Sequence, residues 1–274
     1  MVLIVASNKD TASQNISRRI LEHYPFEKTP NEFQGNAVYE LSIKGKKVKL
    51  VTLKDESIYA QNLLGSFVEV ELVVFVSRHS SLTGTPTLSV HTPGNLGDAE
   101  LGGLARSVSV SPANAMRNAL RAMMRLRNEM HLDYEVSYEG THHGPSLDAP
   151  TMFVELGSTP QQWEDTKAAE AVAHASMEAV SKFGSFPARA VLGIGGPHYN
   201  GKFTRIALET DTAFSHMIPK YAIPSVELEI VRQCLRRTLE KVEAVILDWK
   251  GIKGEDKPKV SGMLGELGIP FEKV

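Results

Sequence analysis

Seven short runs of valine, isoleucine, leucine and other mainly apolar residues recur along this chain, and they constrain its fold more than any other feature. They are Val2–Ala6, Val48–Leu53, Leu72–Val76, Thr87–Val90, Met152–Leu156, Ala190–Ile194 and Ala244–Leu247. Each is nearly continuous and closes in a polar or glycine-rich stretch, as strands covered on both faces do. Asn36–Ser42, Leu132–Tyr138 and Thr204–Glu209 alternate more and are expected at a sheet edge or in a second, smaller sheet. Helices interleave with these runs. Ser111 as N-cap and Pro112 at the first helical position open one over Ala113 to His131. Thr159-Pro160, with Gln162 in capping-box position, opens another that Gly184 ends. Asp10 or Thr11 begins a helix to His23, and Ser225 caps one running through Arg232 and Arg236 to about Val242. The interleaving predicts an α/β fold, in three α/β/α layers around a mixed, mostly parallel sheet.

The 274 residues are enough for one catalytic domain spanning 1–274, or for two intimate lobes, with a dry core. Hydrophobic residues at 42% and charged residues at 23% are ordinary for a globular chain. The net charge of -2 favours no polyanion, so contact with nucleic acid requires a local patch. A single cysteine, Cys234, excludes an internal disulfide framework and a cysteine-based zinc site, and it fits a reducing compartment. The opening MVLIVASNKD is too short in its apolar run for a signal peptide or membrane span. A cytoplasmic protein with no membrane partner is expected, with a monomer favoured.

Three stretches place histidine directly after an apolar run. Ser77-Arg78-His79-Ser80-Ser81 leads on to His91-Thr92-Pro93-Gly94-Asn95. Glu139-Gly140-Thr141-His142-His143-Gly144-Pro145-Ser146 precedes the run that carries Glu155, and Gly195-Gly196-Pro197-His198-Tyr199-Asn200 follows the sixth run. Ligands of open α/β sheets bind beyond the carboxyl ends of strands. One histidine after a strand is most often a hydrogen-bonded loop residue. Three such loops, holding five of the nine histidines, point instead to a shared site. His23, His131, His174 and His216 stand in helical or irregular contexts and read as structural.

Imidazole and carboxylate are zinc ligands, so His79, His91, His142, His143 and His198, with Glu155 or Asp98, are candidates to hold one or two ions. No His-Glu-x-x-His helix is present, and a metal-free site with a histidine as general base is the competing arrangement. Gly193-Ile194-Gly195-Gly196 lacks the third glycine of a dinucleotide fingerprint, and a strand is expected after it, so dinucleotide binding is rejected. Gly195 and Gly196 are expected to let the backbone approach a substrate. Arg117, Arg121 and Arg125 form one helical stripe, and Lys44, Lys46, Lys47 and Lys49 surround a hairpin tip at Gly45. Either could meet phosphates, although solvated surfaces commonly carry such runs.

Together these motifs carry a family resemblance. Ser77-Arg78-His79-Ser80-Ser81 with Pro86 through His91-Thr92 and Gly94-Asn95, then Thr141-His142-His143-Gly144-Pro145-Ser146 with Glu155-Leu156-Gly157-Ser158, then Gly195-Gly196-Pro197-His198-Tyr199 with Phe203-Thr204, resemble signatures of the archaeal and plant D-aminoacyl-tRNA deacylases. The resemblance spans nearly the whole chain. It implies a fold related to phosphorylases and peptidyl-tRNA hydrolases, hydrolysis of the ester joining a D-amino acid to tRNA, and zinc as cofactor. The motif positions nominate His79, His142, His143 and His198 as catalytic. His79, His91, His142, His143, Glu155 and His198 are nominated as metal ligands. Ser80, Ser81, Thr141, Gly195, Gly196, Tyr199 and Arg121 are nominated for substrate contact. The rival readings are a metal-assisted amidase or peptidase acting on a small substrate, and a non-enzymatic RNA-binding protein.

Overall fold

The computed structural model describes residues 1–274. The first half of the chain forms β1 (Val2–Ser7), α1 (Thr11–His23), β2 (Glu27–Phe33), β3 (Asn36–Ile43), β4 (Lys46–Leu53), β5 (Leu72–Arg78), β6 (Thr87–His91), β7 (Gly94–Asn95), β8 (Ser107–Val108) and α2 (Ala113–Glu129). The second half forms β9 (Glu135–Tyr138), β10 (Thr151–Gly157), α3 (Pro160–Trp163), α4 (Thr166–Lys182), β11 (Arg189–Ile194) and α5 (Gly201–Glu209). It closes with β12 (Thr212–Ile218), α6 (Leu228–Arg236), β13 (Ala244–Leu247), α7 (Lys257–Leu267) and β14 (Phe271–Lys273). Eight strands make the larger sheet in the order β2-β3-β4-β1-β5-β10-β6-β9. Its centre, β4-β1-β5-β10, is parallel, β6 runs antiparallel to β10, and β9 runs parallel to β6. The smaller sheet, β12-β11-β13-β14, is parallel throughout.

The seven apolar runs are all strands, and the mixed, mostly parallel sheet with a second, smaller one is as expected. The layering is less symmetrical than three full layers. Residues of one face of the larger sheet, among them Val2, Ile4, Val74, Val90 and Val154, pack with apolar residues of α1, α2 and α4, in a cluster that extends to Val191 and Phe214 of the smaller sheet. The opposite face, with Leu3, Val5, Phe75 and Phe153, is covered only by short turns and loops carrying Ala60, Leu63, Leu147 and Ala149. That loop-covered face has room for a site. The smaller sheet does have helices on both sides, with α6 and α7 contributing Ile230, Val231, Val260 and Leu264 to its outer core.

Five local expectations are corrected. Thr204–Glu209 is helical, within α5: the Asn200 side chain accepts from Phe203 N–H, and Phe203, Thr204 and Ala207 form its buried face at helical spacing. The strand expected after Gly201 is displaced to Thr212–Ile218, where Ser215 and His216 interrupt the apolar pattern. The helix expected from Thr159 to Gly184 breaks after Trp163, because Asp165 caps a new helix by accepting from Lys167 and Ala168 N–H. Ser111 does not cap α2. Its hydroxyl accepts from Thr92 Oγ1, and the α2 amides of Ala113 and Asn114 donate to the Glu240 carboxylate at 3.0 and 2.8 Å. The helix expected from Ser225 to about Val242 is shorter, Leu228–Arg236.

Candidate active site

Strand alternation brings the chemistry to the loop-covered face. In β5 and β10, Phe75 pairs with Phe153 and Ser77 with Glu155. Across the antiparallel partner, Phe153 pairs with His91 and Glu155 with Ser89, and Ser89 in turn pairs with Ser137 of β9. Directly opposed residues share a face, so Ser77, Glu155, Ser89 and Ser137 form one polar row across four strands. Glu139, two residues after Ser137, extends the same face just past the end of β9. The chain then turns through Gly140 and Thr141, and His142 bridges to Pro93 beside His91, while Tyr199 bridges to Glu139. Five histidines from three loops and strand ends therefore meet two carboxylates.

Glu139 is the centre of this cluster and is fully buried. Its Oε1 lies 3.2 Å from His79 Nδ1, and its Oε2 lies 3.1 Å from His198 Nε2 and 3.7 Å from His142 Nε2. Glu155 accepts from Ser77 Oγ at 2.6 Å and stands 3.6 Å from His79 Nδ1 and 3.7 Å from His91 Nε2. Tyr199 Oη touches His79 Nε2 at 2.8 Å, and Tyr221 Oη lies 3.1 Å from His198 Nδ1. Sequence reasoning missed Glu139. The signal was present, since Ser137 and Glu139 lie on one face of an alternating strand that ends in the His142-His143 motif.

The electrostatics divide the histidines. Burial opposes a charge on His79, but Glu139 and Glu155 outweigh it and push its pKa up to about 10. His91 is likewise opposed by burial and raised by Glu155. Burial, aided by His143 and His91, holds His142 well below the usual imidazole range. Burial and His91 bring His143 down to about 4. Against their own burial, Glu155 is held down to about 2 by His79 and His91, and Glu139 well below the usual carboxylate range by His79 and His198.

The donor set suits a metal ion. His142 Nδ1 lies 2.8 Å from Gly140 O and His143 Nδ1 lies 2.7 Å from Gly144 O. Carbonyls only accept, so each Nδ1 carries the proton and each Nε2 presents a lone pair. His142 Nε2 thus faces Glu139 Oε2, acceptor against acceptor, a contact that a shared cation relieves. Both ring nitrogens of fully buried His91 lack a hydrogen-bond partner. Three overlapping triads, His91–His142–His143, Glu139–His142–His198 and His79–Glu139–Glu155, each have ligand atoms within 4.8 Å of one another. Histidine and carboxylate in this arrangement match the ligands of catalytic zinc.

Two clefts open on either side of His142 and His143. One, of about 300 Å³, is lined by Asp10, Arg78, His79, Ser80, Glu155, His198 and Tyr199. The other, of about 290 Å³, is lined by Asn95, Asp98, Glu100, Thr141, Tyr221 and Ser225. Leu101 belongs to both. A larger hollow of about 540 Å³, around Lys9, Asp55 and Tyr59, holds none of the histidines and touches the first cleft only through Glu56.

His79, His91, His142, His143, Glu155 and His198 are therefore brought together as expected, and Tyr199 joins them through His79. Ser80 is exposed on the first cleft, and Ser81 lies beside it, hydrogen-bonded to Thr83. Asp98 lies in the second cleft, outside every histidine–carboxylate triad.

Other nominated residues have different tasks. The Thr141 hydroxyl is committed: it accepts from Met217 N–H at 3.1 Å and contacts His216 Nδ1 at 3.3 Å. Gly195 and Gly196, with φ of +102° and +75°, make room for their own chain. A Cβ would stand 2.7 Å from Ile252 at the first and 2.4 Å from Asn200 at the second. Arg121 is exposed on α2, which packs against the helix-covered face of the larger sheet, opposite the histidines. The stripe expected with it is split, because Arg117 is buried and donates to Ala207 O and Thr210 O, while Arg125 pairs with Glu129 and Glu178. At the hairpin tip Lys47 and Lys49 are both paired with Glu40 at 3.0 Å.

A family model described as D-aminoacyl-tRNA deacylase matches residues 66–272. The chain belongs to the D-aminoacyl-tRNA deacylase family. Over the full length of both proteins it is 39% identical to a D-aminoacyl-tRNA deacylase of Pyrococcus furiosus. It is 36% identical to one of Methanosarcina mazei, covering 98% of this chain and 90% of that protein. A crystal structure of a conserved protein of unknown function is 32% identical and superposes with a TM-score of 0.88, covering 100% of this chain and 95% of that one. Every motif from His79 to His198 falls inside the family match. No helix is long and apolar enough to cross a membrane.

Proposed function

We propose that this protein hydrolyses the ester of D-aminoacyl-tRNA, releasing the D-amino acid and tRNA, at the histidine–carboxylate cluster between the two clefts. The observation that carries the reading is that every family motif converges there, on the one sheet face left free of helices. Water adds to the ester carbonyl, the bond to the ribose oxygen breaks, and that oxygen leaves with a proton. The two clefts offer separate places for the aminoacyl group and the terminal nucleoside, with the ester at the His142–His143 wall between them. Reading the chirality of the α-carbon needs fixed walls, against which an L side chain meets a clash.

Zinc is the cofactor that fits, one ion or two, with His91, His142, His143, Glu139 and Glu155 as the available ligands. When bound it supplies a water that ionises near neutrality and a positive charge for the developing oxyanion. Glu139 and Tyr199 orient His79, the Gly140 and Gly144 carbonyls fix the tautomers of His142 and His143, and His198 stands with Tyr221 at the cleft as the group placed to pass a proton to the leaving ribose oxygen. A cytoplasmic monomer acting on charged tRNA completes this reading. The test is hydrolysis of matched D- and L-aminoacyl-tRNA with and without a chelator. Rapid release of the D-amino acid only, abolished by chelator and restored by zinc, is expected. Equal rates on the two enantiomers would overturn the proposal.

A further inference from the structure

On the opposite, helix-covered side of the larger sheet, a second histidine cluster joins α1 to α4. His23 is the last residue of α1, and Glu170 and His174 lie one turn apart on α4. His23 Nε2 and His174 Nε2 both stand 3.6 Å from the same oxygen, Glu170 Oε1. The two rings are 4.9 Å apart between centroids, tilted by 58°. The three ligand atoms lie within 4.8 Å of one another.

These separations are too long for hydrogen bonds, so the three groups face one another without bonding. They are close to what a shared ion imposes. Zinc ligands about 2.05 Å from the metal, at tetrahedral angles, stand about 3.3 Å apart. A support is also in place. Tyr24 Oη lies 2.8 Å from His174 Nδ1. A phenol accepts as well as donates, so its oxygen can accept a hydrogen bond from His174 Nδ1–H and leave the Nε2 lone pair to a metal, as partners of metal-bound histidines do. The cluster is partly exposed, which gives an ion a route in and leaves a fourth position to water.

We propose that His23, Glu170 and His174 form a second metal site, selective for a borderline divalent ion such as zinc, that clamps the end of α1 to α4. It contains no residue of the deacylation cluster and does not depend on the function assigned there. Because α1 and α4 are far apart in sequence, an ion here restrains a long loop and binds only the folded chain.

The experiment uses the full-length protein and Zn²⁺ alone as probe. Zinc equivalents are counted by equilibrium dialysis for the wild type and for His23→Ala, His174→Ala and Glu170→Gln, and each is assayed for D-aminoacyl-tRNA hydrolysis and thermal unfolding. The wild type is expected to bind one equivalent more than each variant. All are expected to keep kcat/KM within twofold. At a hundredfold excess over Kd, zinc should raise the Tm of the wild type by about 5 °C more than that of the variants. Equal equivalents in all four proteins would overturn the proposal. So would a loss of hydrolysis alongside the lost equivalent, since that zinc would then belong to the deacylation cluster.

Discussion

Replacing Gly157 with alanine is expected to cut deacylation about 100-fold while leaving the protein folded. A Cβ at this position would stand 2.5 Å from both the Cβ and the carbonyl oxygen of His79, and 2.8 Å from its ring Cδ2, where ordinary contact begins at 3.4 Å. Something must move by roughly 0.9 Å. The His79 main chain resists, because its N–H donates to Leu156 O at 2.9 Å and its carbonyl accepts from Trp163 Nε1 at 2.8 Å. The displacement therefore passes to the imidazole, which Glu139 and Tyr199 hold at 3.2 and 2.8 Å. A misplacement of about 1 Å in a catalytic constellation costs on the order of 100-fold in rate. Overpacking of one methyl costs about 1–3 kcal/mol, which in a chain of this size lowers Tm by about 2–6 °C. Single-turnover hydrolysis of D-aminoacyl-tRNA, measured well below the Tm of the variant, separates the two effects. A variant that melts lower but keeps its rate within threefold would refute the claim that turnover depends on the placement of His79.

Chelation is expected to abolish turnover, and His142→Ala and His143→Ala each to lower both activity and the zinc affinity of the deacylation cluster by at least about tenfold; if the variants lose activity while chelator has no effect on the wild type, the site works without metal. His216 is buried, with Nε2 3.0 Å from Arg237 O, and burial brings its pKa down to about 4. Its ordinary value is about 6.5, so the unfolded chain takes up this proton first and stability is lost as pH falls between the two values, by about 2 kcal/mol at pH 5. Urea midpoints of wild type and His216→Gln at pH 7 and pH 5 check this, and parallel pH dependences would rule it out. Arg121→Ala is expected to leave the salt dependence of tRNA binding unchanged, whereas a slope lower by about one unit would restore Arg121 as a phosphate contact.

What the sequence by itself determined was whatever depends on neighbours along the chain. The apolar runs had no alternative to being buried strands. Asp10 and the Thr159–Gln162 pair marked helix starts through local side-chain bonds, and the motif spacings carried the family and five of the histidines. The tertiary structure decided what depends on groups distant in sequence. Ser111 looked like a cap until Glu240, 127 residues beyond Ala113, took that position. Gly195 and Gly196 looked like substrate contacts, but their freedom is used against Ile252 and Asn200. Arg117, Arg121 and Arg125 looked like one basic stripe, yet packing buried the first, paired the third and turned all three away from the site. Glu139 is the clearest case. A carboxylate after a strand carries no mark of burial, and only the pairing of β9 with β6 and the return of the His198 loop enclose it among imidazoles. Its role is a property of that enclosure, because a buried charge is tolerated only where opposite charges from other parts of the chain come to meet it.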